Sequence, residues 1–194
     1  METNVKLNLE DGDSLTDIRQ YQRLVGLLIY LTVTRPDIAY AVSMISQFMH
    51  TPCTSHLEAI DRILRYLKST QGQGTWMKKN NTNTIVGFSD ADWIGSSDRK
   101  SNTGFCTFVG RNLVTWKSKK QNVIARSSTE VEYRAMAYAA SELIWIKQVL
   151  IDMKIECKGP VQMYFDNQAA RHITSNSVFH ERTKYIEVDC HFIR

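Results

Sequence analysis

Apolar residues recur through the first third of the chain at intervals of three and four, the spacing that gathers them on one side of a helix. Ile18, Tyr21, Leu24, Val25, Leu28 and Leu31 form one such stripe and predict a helix over residues 17–32. Ile38, Ala41, Val42, Ile45, Phe48 and Met49 form a second. Pro36 opens it, because its fixed φ suits a first helical turn, and Thr51-Pro52 stops it. Leu57, Ile60, Ile63, Leu64 and Leu67 mark a third helix over 55–69, with Arg62, Arg65 and Lys68 on its other face. His50 and His56 flank the loop before this helix and read as surface residues. The polar, acidic residues 1–16 read as a loose tail.

Gln71-Gly72-Gln73-Gly74 ends the helical pattern, and beyond it the runs become short and β-like. They predict strands over 84–90, 103–109, 113–117 and 161–165, the second and third joined by a hairpin at Gly110-Arg111-Asn112. Between the third and fourth strands lies a helical pattern over 128–153, roughly 40 Å long at about 1.5 Å per residue. A short helix over 167–174 and a last helical pattern from 182 onward follow the fourth strand. Three segments result: a tail over 1–16, a helical segment over 17–74, and an α/β segment over 75–194. Strand, hairpin, long helix and strand make a crossover unit. It sets the fourth strand parallel to the first, in a mixed sheet whose first three strands are antiparallel.

Such a sheet presents ligands beyond the carboxyl ends of its parallel strands. Asp90 ends the first strand, Asp166 ends the fourth, and Glu132 lies in the first turns of the helix. Each acid also has a plainer role open to it. Thr129–Glu132 and Ser127–Glu130 both fit the S/T-x-x-E capping box, and Asp166 can cap the helix that follows it. Asp92 alternates with Asp90 on the strand and can join the pocket or cap the turn. The helix phase separates the two glutamates. Glu132 shares a face with Met136, Ala139, Leu143, Ile146, Leu150 and Met153, the stripe that must meet the sheet, whereas Glu130 points elsewhere. Three clustered carboxylates repel unless a cation neutralises them or one holds a proton, which points to Mg²⁺ or Mn²⁺.

Charge adds a partner to this picture. Between residues 94 and 134 eight Lys or Arg stand against three Asp or Glu, a surplus of five, while the whole chain carries +4. This basic stretch reads equally as the solvated face of a hairpin or as a surface for a polyanion such as a nucleic-acid backbone, with Arg99, Lys100, Lys117, Lys119, Lys120 and Arg126 as the candidate contacts. A hydrophobic share of 43% and a charged share of 23% suit a globular chain. The longest apolar run, residues 24–33, is too short to span a bilayer, so no membrane partner is expected. Four dispersed cysteines suit a reducing, intracellular compartment, cytoplasm or nucleus. Cys157, His172, His180, Cys190 and His191 lack zinc-ligand spacing. No P-loop, dinucleotide fingerprint or nucleophile elbow is present.

Several stretches together resemble the ribonuclease H domain of copia-type retrotransposon Pol polyproteins, in plant-like form. They are Gly87-Phe88-Ser89-Asp90-Ala91-Asp92-Trp93, Arg99-Lys100-Ser101-Asn102-Thr103-Gly104 and Trp116-Lys117-Ser118-Lys119-Lys120-Gln121. Ser127 to Ala135, Asp166-Asn167-Gln168-Ala169-Ala170 and His180-Glu181-Arg182-Thr183-Lys184 extend the likeness. Upstream, Tyr21 to Gly26, Thr34 to Ile38 and Arg62 to Lys68 resemble the tail of the adjoining reverse transcriptase. The resemblance implies a ribonuclease H-like fold and hydrolysis of RNA in an RNA–DNA hybrid. It implies that Asp90, Glu132 and Asp166 are three of four metal-binding acids, holding two ions about 4 Å apart. It makes the reverse transcriptase polymerase region of the same polyprotein a partner. The chain itself has no polymerase Asp-Asp pair. In the family a fifth strand and a final helix with the fourth acid follow the His-Glu-Arg-Thr-Lys segment. Only 28 residues follow Asp166 here, so both are expected to be missing and activity impaired. Glu187 and Asp189 are not taken as substitutes for that acid. A remnant that only binds nucleic acid is the alternative reading.

Overall fold

The structure, a computed structural model, describes residues 7–8, 12–93, 100–125, 127–157 and 159–167. The chain divides into two compact units, Met1–Thr75 and Trp76–Arg194.

The described residues of the first unit form three helices: α1 (Ile18–Leu31), α2 (Ala39–Ser46) and α3 (Thr54–Ser69), with a 3₁₀ turn over Pro36–Ile38 before α2. Asp17 caps α1 by accepting the Gln20 N–H. The predicted apolar stripes meet in one core of Tyr21, Val25, Leu28, Ile38, Val42, Ile45, Ile60 and Ile63. The Tyr21 hydroxyl donates to the Ile45 carbonyl at 2.8 Å, and burial pushes its pKa up to about 12. Ile18, first in its stripe, is instead 39% exposed. Arg35 ties the entry of α2 to the end of α3. Its guanidinium donates to Asp37, to the Thr70 carbonyl and to the Thr70 hydroxyl.

Two readings of this unit need correction. The second stripe is not one helix, because α2 ends at Ser46 and Phe48 leaves it to stack on His56 at 3.9 Å. His56 is no surface residue; it is fully buried. Its Nδ1 accepts the Cys53 N–H at 2.9 Å and its Nε2 lies 2.9 Å from the Asn8 carbonyl. An acceptor Nδ1 places the proton on Nε2, so the ring caps α3 and donates to the segment before α1. Helical periodicity cannot reveal this, because the ring works through its nitrogens and not its hydrophobicity. His56→Ala is expected to destabilise the chain by about 2 kcal/mol, combining a lost cap with a lost ring contact. A lower midpoint of urea unfolding at unchanged slope checks it.

Among the described residues the second unit is a four-stranded sheet crossed by one long helix. Its elements are β1 (Ile85–Asp92), β2 (Asn102–Val109), β3 (Asn112–Lys120), α4 (Ser128–Asp152) and β4 (Gln162–Tyr164). The strand order is β3-β2-β1-β4, with β1 parallel to β4 and the other pairs antiparallel. This is the mixed sheet that the crossover pattern predicted, and it is the arrangement of the ribonuclease H-like fold that the resemblance implies. The hairpin turns through Gly110 and Arg111, both at positive φ, as a tight β-hairpin turn requires.

Alternation along β1 sends Ile85, Gly87 and Ser89 to the buried side. Gly87 lies so close under α4 that a Cβ there would stand 2.8 Å from Leu143 Cδ1. Ile85, Leu143 and Ile146 form the core at that contact. The opposite side carries Phe88, stacked on Tyr164 at 5.2 Å and edge-on to Phe108 at 5.8 Å. The predicted helix face holds at Met136, Ala139, Leu143 and Ile146, but Met153 lies past the helix end and is 63% exposed. β3 also runs further than predicted, to Lys120, because the start of β2 pairs with it as far as Asn102↔Lys120. The expected helices over 167–174 and from 182 onward lie outside the described residues.

Candidate metal centre

Three elements bring three acids to one rim of the sheet. Asp90 stands near the end of β1, and Asp166 follows β4 by two residues. Glu132 sits in the second turn of α4. The two capping options at the helix start are separated by the structure. Ser127 is the N-cap, its hydroxyl accepting the Glu130 N–H at 3.2 Å, and the Glu130 carboxylate pairs with Arg134 at 2.7 Å. Glu132 is left to face the sheet.

One carboxylate oxygen from each of Asp90, Glu132 and Asp166 lies within 4.8 Å of the other two. Asp90 and Asp166 are open to solvent, whereas Glu132 is 7% exposed. Burial, then the charges of Asp90 and Asp166, push the Glu132 pKa up to about 7, and a backbone hydrogen bond from Ala91 opposes them. Its Oε2 is buried without a hydrogen-bond partner among the described residues. A buried carboxylate oxygen with no donor, facing two further carboxylates, fits a hard divalent cation, which takes oxygen ligands and needs no proton. Asp92 is exposed and adds only to the repulsion on Glu132.

Gln121 steadies the helical member of the trio. Its Nε2 donates to the Thr103 hydroxyl at 2.9 Å and to the Val131 carbonyl, one residue before Glu132, at 3.2 Å. The sequence offered only its place at the end of a motif, since a Gln beside four polar neighbours reads as solvated.

The basic residues divide. Lys117 and Lys119 are exposed and share the strand face that pairs them with Phe105 and Thr103, the side on which α4 lies. Lys100 and Lys120 are half-buried. Arg99 and Arg126 lie outside the described residues. Lys117 and Lys119 are therefore both strand residues beside the helix.

No protein-family profile matches the chain. Individual relatives do. It is 46% identical, over its whole length, to the retrovirus-related Pol polyprotein from transposon RE1 of Arabidopsis thaliana. The chain belongs to the copia-type retrotransposon Pol polyprotein family. The corresponding polyprotein from transposon TNT 1-94 of Nicotiana tabacum is 40% identical over 90% of the chain. The chain spans 13% of the length of each of these two Pol relatives. The secreted RxLR effector protein 161 of Plasmopara viticola is 45% identical over 65% of the chain, which there covers 90% of the relative. No helix among the described residues is long and apolar enough to cross a membrane.

Proposed function

We propose that this Pol segment hydrolyses the RNA strand of RNA–DNA hybrids in a divalent-metal-dependent reaction of the ribonuclease H kind. The observation that carries the reading is the convergence of the Asp90, Glu132 and Asp166 carboxylate oxygens within 4.8 Å, at the carboxyl ends of two parallel strands. Three acids at that spacing, one of them buried, hold cations better than they hold each other.

In this reading Asp90 and Asp166, open to solvent, meet the scissile phosphate side of the pocket. Glu132 closes the pocket from the helix, and Gln121 fixes the turn from which Glu132 projects. Mg²⁺ or Mn²⁺ bound there would supply an activated water and neutralise the leaving oxygen. Lys117, Lys119 and Lys120, together with Lys100 and the flanking Arg99 and Arg126, would hold the polyanionic backbone. The polymerase region of the same polyprotein would deliver the hybrid.

The test is cleavage of a labelled RNA–DNA hybrid by the purified chain with Mg²⁺ or Mn²⁺, beside single-stranded RNA, duplex DNA and an EDTA control. Cuts confined to the RNA of the hybrid and lost in EDTA are expected. Metal-dependent binding of the hybrid with no product formed would leave a nucleic-acid-binding remnant.

A further inference from the structure

His56 holds the start of α3 with a titrating base. It is the third residue of that helix, and its ring reaches back to the N–H of Cys53, the residue at the N-cap. Glu or Gln usually accepts this bond, through a carboxylate or amide oxygen. Those oxygens stay bare near neutral pH. A neutral imidazole has a single bare nitrogen, and an ordinary histidine gives it up to a second proton at about pH 6.5.

The fold makes that second proton disruptive. Nδ1 lies 2.9 Å from the Cys53 nitrogen, so a proton on Nδ1 would point at the proton already there. The ring is fully buried and stacked on Phe48, so a charge on it would be cut off from water. It also stands in the first turn of α3, at the positive end of the helix dipole. On the segments around it Asp13, Asp17, His50 and Glu58 are exposed, the Tyr21 hydroxyl is committed to the Ile45 carbonyl, and Cys53 is buried beside the ring. The described residues of this unit thus include no buried carboxylate. Glu10 and Asp11 lie outside the described residues.

Cys53 is also where the segment ahead of α1 is fastened. Ser14 and Cys53 form an antiparallel bridge. The Leu15 N–H donates to the Pro52 carbonyl at 3.0 Å, and the Thr54 N–H to the Asp13 carbonyl at 2.9 Å. The far side of the His56 ring meets the Asn8 carbonyl. One ring therefore braces both the loop that receives residues 13–15 and Asn8 itself. The core does not depend on these ties. Its buried residues lie on the three helices and the 3₁₀ turn, with Leu7 and Leu15 only packed against it.

We propose that His56 is an acid-sensitive latch. A second proton drives the ring from the start of α3 and frees residues 13–15 from the loop over 52–54, while the helical core stays folded. The closed form has no place for that proton and the open form does. The latch is therefore closed above the ordinary histidine range and opens as pH falls below about 6.5. Neither metal nor nucleic acid is involved.

Cys53 reports the latch, because it is 5% exposed when the latch is closed. The full chain in EDTA is treated with 4,4′-dithiodipyridine, which modifies thiols in mild acid as well as at neutrality. Labelling at each cysteine is read by mass spectrometry from about pH 7.5 to about pH 5. Half-buried Cys157, in the other unit, is the internal reference for the reagent's own pH dependence. Labelling of Cys53 relative to Cys157 is expected to rise by up to about ten-fold per pH unit, the slope of one proton, with the helical circular dichroism unchanged. His56→Gln puts an amide oxygen in the same cap, where it cannot titrate, and is expected to hold the ratio flat. A flat ratio in the unaltered chain would overturn the proposal. So would a rise that persists in folded His56→Gln, or one that comes only with loss of the helical signal. Should His56→Gln not fold, the ring nitrogen NMR shifts of His56 in the unaltered chain decide. Protonation of Nδ1 over the same pH range as Cys53 labelling is expected, and a doubly protonated ring with Cys53 still protected would overturn the latch.

Discussion

Asp90→Asn and Asp166→Asn are each expected to lower hybrid cleavage by at least about 100-fold, while the folded chain and its salt-dependent binding of hybrid in EDTA persist. Both residues are exposed at the rim, so the amide is accommodated without repacking. What changes is charge. An amide offers one neutral oxygen where the carboxylate offered an anionic one, and hard cations discriminate strongly between them. Each substitution also relieves Glu132 of one of the carboxylate charges that raise its pKa. The variants should therefore be slightly more stable than the parent in EDTA and much less responsive to Mg²⁺. Cleavage at the parent rate in both variants would place the chemistry elsewhere on the molecule.

The second large effect is in pH and metal together. Glu132 has an ordinary pKa of 4.5, raised to about 7 in the fold. The folded chain thus holds this proton more tightly than the unfolded chain does. Without metal, the stability Glu132 contributes is full below about pH 4.5 and is lost as pH rises through 7. A divalent ion reverses the trend, because it binds the carboxylate and competes with the proton. The rise in melting temperature on adding Mg²⁺ or Mn²⁺ is therefore expected to grow from about pH 5.5 to about pH 8. At an ion concentration of about 100 Kd the gain is about 2.7 kcal/mol, a shift of several degrees. Glu132→Gln is expected to flatten the metal-free profile and to remove most of the metal response. Thermal melts in EDTA and in excess cation across that range decide it. A metal response independent of pH would sink the assignment of Glu132.

Much of this was legible in the sequence because several features are periodic or positional. The strand order follows from the lengths of the runs and from the crossover that a long helix forces between parallel strands. Glu132 was separable from Glu130 because the helix phase ties it to Leu143 and Ile146, which must meet the sheet. What escaped notice works through polar atoms in places where polarity suggests solvent. His56 caps a helix from inside a core, and Gln121 spans β2 and α4 with one amide. The extension of β3 to Lys120 was hidden as well. Ser118, Lys119 and Lys120 read as lying past the end of the strand, and only the partner strand shows that they continue the ladder. That difference alters the role of Lys117 and Lys119, since alternation turns both toward the helix.

Gly87 has a bearing on the chemistry that its lack of a side chain conceals. It sits three residues before Asp90 and directly beneath Leu143, which is eleven residues, or about 16 Å, along α4 from Glu132. The helix is thus a rod seated on a bare notch at its middle, with an acid at its far end. Gly87→Val would lift the rod at the fulcrum and swing Glu132 away from two acids anchored in the sheet. The damage would register first as a weaker grip on Mn²⁺, measurable by titration calorimetry, in a chain whose β-sheet spectrum is still intact.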